Sequence, residues 1–177
     1  MIHLHDKTFV PYISSEEIQF AIQNMAKQMA SDFFEETPLF MGVLNGSFMV
    51  LGDLMKNYRG MCEVSFVKVA SYEGTATTNA IKQLIGINEN LEGRTVVIVE
   101  DIIDTGKTLH HFLPQLQAQQ PTEIKIAVLL NKTEALAFPV KVDYTCFNIP
   151  NKFVVGYGLD YDGLGRNNKE IYQLKTT

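Results

Sequence analysis

A chain of 177 residues with 46% hydrophobic and 20% charged side chains has the make-up of an ordinary globular protein, long enough to bury a core without disulfide or metal staples. Its net charge of −5 lacks the basic footprint that nucleic-acid binding demands, and no apolar run approaches the ~20 residues of a membrane span. Met1 to Lys7 has no apolar core of a secretory signal, and Cys62 and Cys146 read as buried thiols outside any disulfide framework, so a cytoplasmic protein is expected. Without repeats, low-complexity tracts or Pro/Gly-rich linkers, the sequence predicts one domain over residues 1–177.

Taken in chain order, Ser14-Ser15-Glu16-Glu17 is a capping box, and Ile18, Ile22, Met25, Met29 and Phe33 then fall on one helical face. A short buried strand is predicted over Leu39 to Leu44, then an Asn45-Gly46-Ser47 turn and a helix to about Tyr58. A second strand covers Glu63 to Ala70, followed by a small, polar stretch from Ser71 to Asn79 that can bury little. A strand from about Thr95 leads to a helix from Thr105 to about Gln119, which Pro114 should kink or split. Ile124 to Leu130 is another buried strand; Lys141 to Ile149, Phe153 to Leu159 and Ile171 to Leu174 are strand-like. Strands alternating with helices imply an α/β protein with a parallel sheet and ligands at the C-terminal ends of its strands, and the last strands form a smaller subdomain. The four histidines lack zinc-ligand spacing and read as surface residues, His3 and His5 on a mobile terminus.

Val96 to Thr108 is the most informative stretch. Val96-Val97-Ile98-Val99 shows no polar alternation, as expected of a strand covered on both faces. It runs into Glu100 and Asp101, and the loop Asp104-Thr105-Gly106-Lys107-Thr108 then opens a helix. Backbone amides around a glycine, two hydroxyls and the positive end of a helix form a phosphate cradle. Three carboxylates beside an anion would repel it unless a divalent cation or sugar hydroxyls lie between them, and a phosphorylated sugar with Mg²⁺ satisfies every group. The P-loop alternative fails, because Asp101 stands five positions before Gly106, where that motif needs glycine.

Glu100 to Thr108 closely resembles the phosphoribosyl pyrophosphate motif of the purine phosphoribosyltransferases, the hypoxanthine (hypoxanthine-guanine) branch in particular. From about Leu39 onward further segments match that family in order and spacing: Leu44-Asn45-Gly46-Ser47, Ser71-Tyr72, Lys132, and Ile149 to Tyr161 with Arg166. The resemblance implies the type I phosphoribosyltransferase fold, a Rossmann-like parallel sheet flanked by helices with a small hood. It implies Asp104 as general base, Glu100 and Asp101 on the ribose hydroxyls and Mg²⁺, and Thr105, Gly106, Lys107 and Thr108 on the 5′-phosphate. Leu44, Asn45 and Gly46 would bind pyrophosphate through a cis Leu44–Asn45 peptide, with Arg166 assisting, and Ser71 and Tyr72 would open a lid. Many relatives carry lysine where Asn45 stands, so a cation is lost here. On the base side, Lys132 would donate to the 6-oxo group, Phe153 would stack on the ring, and Val154 would meet its pyrimidine edge. Asp160 would lie near that edge and a second metal ion. The implied partners are phosphoribosyl pyrophosphate and a 6-oxopurine, with no nucleic acid or membrane, in a homo-oligomer (dimer or tetramer). Xanthine is harder to exclude than adenine, and the ranking of hypoxanthine and guanine stays open.

Overall fold

The computed structural model describes residues 1–70 and 82–176. Helix α1 (Ser15–Asp32) begins at the expected capping box: Ser14 accepts from the Glu17 amide, and the Glu17 carboxylate accepts from the Ser14 amide at 2.8 Å. Its stripe, Ile18, Ile22, Met25, Met29 and Phe33, is buried.

A six-stranded sheet carries the fold, in the order β5 (Lys82–Ile85), β4 (Glu63–Ala70), β3 (Leu39–Leu44), β6 (Thr95–Ile103), β7 (Glu123–Asn131), β8 (Tyr144–Asn148). All pair in parallel except β5, an antiparallel edge strand on β4. The unbroken apolar run of β6 has the predicted cause. Val97 and Val99 pack toward α1 and α2 (Phe48–Asn57), while Val96 and Ile98 pack toward α3 (Lys107–Gln117) through Leu109, Phe112 and Leu116. Both faces are therefore dry. The strand order reverses between β3 and β6, so the loops leaving these two strands diverge and open a crevice at their C-terminal ends.

A second, antiparallel sheet runs β1 (Ile2–Leu4), β2 (Lys7–Ile13), β10 (Ile171–Leu174), β9 (Val154–Val155). It forms the hood, and it corrects two expectations. The N-terminus is a β-hairpin rather than a mobile tail, with Phe9 fully buried; His3 and His5 are exposed, as expected. The predicted strand from Phe153 to Leu159 shrinks to two residues, because Gly156, Tyr157 and Gly158 turn the chain with φ of 98°, 50° and 98°. Of the strands expected near the C-terminus, β8 extends the parallel sheet instead of joining the hood. Helix α3 continues through Pro114 as one element and is not split.

Candidate active site

Strand β6 runs through its acidic pair to Ile103, and the loop begins at Asp104, as the sequence predicts. This holds Glu100 within the sheet, 6% exposed. Burial first, then the neighbouring Asp101 carboxylate, push the Glu100 carboxyl well above the usual range. Burial raises Asp101 to about 6, against the lowering effect of the Ile102 amide, which donates to it at 2.9 Å. A buried and a half-buried carboxyl held side by side are a poor arrangement by themselves and a good one for a hard divalent cation, whose charge would reverse both penalties.

These groups line a cavity of about 320 Å³ together with Leu44, Asn45 and Gly46 from the β3–α2 loop, Asp104 to Thr108 from the β6–α3 loop, and Arg166. The cavity sits at the crevice where the strand order reverses. The Leu44–Asn45 peptide is cis. Gly46 is required by close approach, since a Cβ there would overlap the Asp101 carboxylate. Gly106, the N-cap of α3, has φ 77° and lies against the Phe138 carbonyl, so a side chain is excluded twice. The Ala137 and Phe138 amides both donate to the Thr105 carbonyl at 3.0 Å, bracing the loop from outside. Lys107 and Asn45 are exposed.

Lys132, Phe153, Val154 and Asp160 adjoin this cavity rather than line it. Lys132 leaves the end of β7 and is only 5% exposed, unlike an ordinary lysine at a strand end. Its ammonium donates to Asp104 at 2.7 Å and, at 3.4 Å, to the Asn151 side-chain oxygen. Phe153 is 42% exposed, with one edge supported by Phe9 and Tyr161 at centroid distances of 5.8 and 5.6 Å. Val154 is buried in β9. Asp160 pairs with Arg166 at 2.6 Å and accepts from the Gly163 amide at 2.8 Å. Ser71 and Tyr72 lie outside the described residues.

Sequence reasoning missed the hairpin behind the aromatic wall. Lys7 hydrogen-bonds the Tyr161 hydroxyl, which donates to Asp6 at 2.7 Å. His5 stands edge-on to the same ring. The β-branched and aromatic run Thr8-Phe9-Val10 was an available strand signal, weakened by Pro11.

The sequence profile described as Phosphoribosyl transferase domain matches residues 13–162. The chain belongs to the phosphoribosyltransferase family. Within that family it is 39% identical to the hypoxanthine-guanine phosphoribosyltransferase of Streptococcus pyogenes serotype M3 over 163 residues, 92% of this chain and 91% of the relative. The crystal structure of a hypoxanthine phosphoribosyltransferase from Staphylococcus aureus superposes with a TM-score of 0.90 at 32% identity, covering 97% of this chain and 94% of that one. A hypoxanthine-guanine phosphoribosyltransferase from Bacillus anthracis, solved with HEPES in its active site, gives 0.88 at 33% identity, covering 96% and 99%. The type I phosphoribosyltransferase fold expected from the resemblance is the fold of this chain. No helix among the described residues is long and apolar enough to cross a membrane.

Proposed function

We propose that the chain, working as one phosphoribosyltransferase domain, transfers the 5-phosphoribosyl group of phosphoribosyl pyrophosphate to N9 of hypoxanthine, and of guanine, giving the nucleoside monophosphate and pyrophosphate. The observation that carries this reading is the Asp104–Lys132 pair, which joins the loop of a phosphate cradle to a buried cation. Relatives named for this activity match the chain along nearly its whole length.

In the proposed reaction the N9–C1′ bond forms as the C1′–oxygen bond breaks, and the electron pair of that bond leaves with pyrophosphate. Asp104, half exposed at the cavity, takes the proton from N7 of the purine. Lys132 has three N–H donors; Asp104 and Asn151 accept two, and the third is available for the 6-oxo group of the base. Adenine would present a 6-amino donor to the same ammonium, which costs the full desolvation of both groups. Phe153 stacks on the ring and Val154 meets its edge.

The amides and hydroxyls of Thr105, Gly106, Lys107 and Thr108 hold the 5′-phosphate, so binding energy remote from the reacting carbon aligns the donor. Leu44, Asn45, Gly46 and Arg166 hold pyrophosphate, and Asn45 contributes no charge. Glu100 and Asp101 hold the ribose hydroxyls. Their oxygens would hold Mg²⁺, which when bound would neutralise the leaving pyrophosphate, and Asp160 would serve a second ion. Ser71 and Tyr72 belong to the proposed lid. Assembly with identical chains and a cytoplasmic setting complete the reading; exposed Met61, Val64 and Phe66 support the first, and the free thiols Cys62 and Cys146 the second.

Pyrophosphate release on mixing the protein with phosphoribosyl pyrophosphate, Mg²⁺ and hypoxanthine tests the proposal. Release that requires hypoxanthine is expected; release that proceeds equally without base, or does not occur, overturns it.

A further inference from the structure

Tyr157 combines features that the reaction does not explain. It holds a left-handed φ of 50° between two glycines, a conformation a tyrosine adopts only under constraint, and its side chain is 2% exposed. The constraint comes from α2. The Tyr157 hydroxyl donates to Asp53 Oδ2, which also accepts from the Gln19 amide at 2.6 Å, while Lys56 donates to the other oxygen at 2.8 Å. Burial opposes the charge on Asp53, but these hydrogen bonds prevail and hold its carboxyl below the usual range.

The backbone around Tyr157 leads directly to the cavity. Its amide donates to the Asn168 carbonyl at 2.8 Å, and the next amide, Gly158, donates to the Arg166 carbonyl at 2.9 Å. The Arg166 guanidinium returns a hydrogen bond to the Gly158 carbonyl at 2.7 Å and pairs with Asp160. Gly158 lies so close to the Gly46 carbonyl that a Cβ would overlap it. Gly46 in turn is packed on Asp101, and α2 starts two residues after it, at Phe48. One hydrogen bond between α2 and the loop thus closes a ring of contacts: Asp53, Tyr157, Gly158, Gly46 and back through α2.

We propose that Tyr157 and Asp53 are a positioning pair that sets Arg166 against Gly46 and Asp101, and thereby the affinity for the pyrophosphate end of the donor. The pair touches no substrate. It rests on the reading of this cavity as the donor site, but its consequence is separate: the donor should feel its loss and the base should not. Phe153, which faces the base, is held by Phe9 and Tyr161 instead.

The test is calorimetric binding of phosphoribosyl pyrophosphate with Mg²⁺, together with KM for both substrates, in wild type, Tyr157→Phe, Asp53→Asn and Asp53→Leu. Tyr157→Phe should weaken donor binding by about three- to tenfold, the worth of one buried hydrogen bond, and leave KM for hypoxanthine unchanged. Asp53→Asn keeps an acceptor oxygen and should recover part of the loss, whereas Asp53→Leu should match Tyr157→Phe. The double variant Asp53→Leu/Tyr157→Phe should be no worse than the poorer single one, as expected of a coupled pair. Wild-type donor affinity in Tyr157→Phe overturns the pair, as does an equal rise in KM for donor and base, which would mark a merely structural role. Should Asp53→Leu not fold, the near-isosteric Tyr157→Phe decides alone. A wild-type protein that binds no phosphoribosyl pyrophosphate refutes the functional reading itself.

Discussion

At the donor end of the cleft, Glu100 and Asp101 sit inside a strand packed on both faces, and the anion loop is braced by carbonyl and amide contacts from residues 137 and 138. At the proposed base end, Phe153 stands 42% exposed on a small antiparallel hood, supported by two aromatic rings and a lysine–tyrosine contact. The first arrangement concentrates charge in a dry, rigid place, where electrostatic groups act strongly and need no reorganisation. The second leaves an aromatic face open, which suits recognition of a flat ring by stacking. Asp104 and Lys132, 2.7 Å apart, are where the two ends meet.

Breaking that junction should have the largest effect. Asp104→Asn keeps size and loop but removes the base, so turnover should fall by about 10²–10⁴-fold while calorimetry still detects donor binding. Turnover near wild type would remove Asp104 from that role. Lys132→Ala removes the donor to the base and the ion partner of Asp104: kcat/KM for hypoxanthine should drop by about 10–100-fold with donor affinity retained, and the preference over adenine should shrink.

The donor end was legible in the sequence because its groups are contiguous: Glu100 to Thr108 is one strand, one loop and one helix start. The continuous run of Val96 to Val99 announces a strand buried on both sides, and Ile102 and Ile103 carry its pairing to β7 up to the loop at Asp104. The hood was legible in part: Ile171 to Leu174 reads as a strand of a small subdomain, but the N-terminal hairpin that pairs with it does not. Its sheet joins Phe9 to Ile13 with Ile171 to Leu174, partners at opposite ends of the chain, and Pro11 sits where the register shifts. The Asp53–Tyr157 bond spans 104 residues between two segments that each read as ordinary on their own. Lys132 is marked in the sequence only by the family resemblance, since a lone lysine at a strand end is ordinarily solvated, whereas the fold buries this one.

Asp101→Asn sharpens the contrast in a different quantity. A carboxyl whose folded pKa is about 6, above its unfolded value near 3.8, binds more protons folded than unfolded. Its contribution therefore favours the fold at low pH and is lost as pH rises from about 4 to 6. Without metal at pH 7.5, Asp101→Asn should be more stable than wild type by about 1–3 kcal/mol in urea denaturation, and the gain should vanish near pH 4. Destabilisation at pH 7.5 would show that the carboxylate is compensated within the fold. The smallest effect is expected far from both ends: Ser14→Ala should cost about 1 kcal/mol through the lost cap of α1, with kcat and both KM values unchanged.

The most direct measurement is nucleotide formation from phosphoribosyl pyrophosphate and Mg²⁺ with hypoxanthine, guanine, xanthine and adenine supplied separately. The account predicts efficient product from hypoxanthine and guanine and almost none from adenine. Adenine used as well as hypoxanthine, or no product from any base, would contradict it.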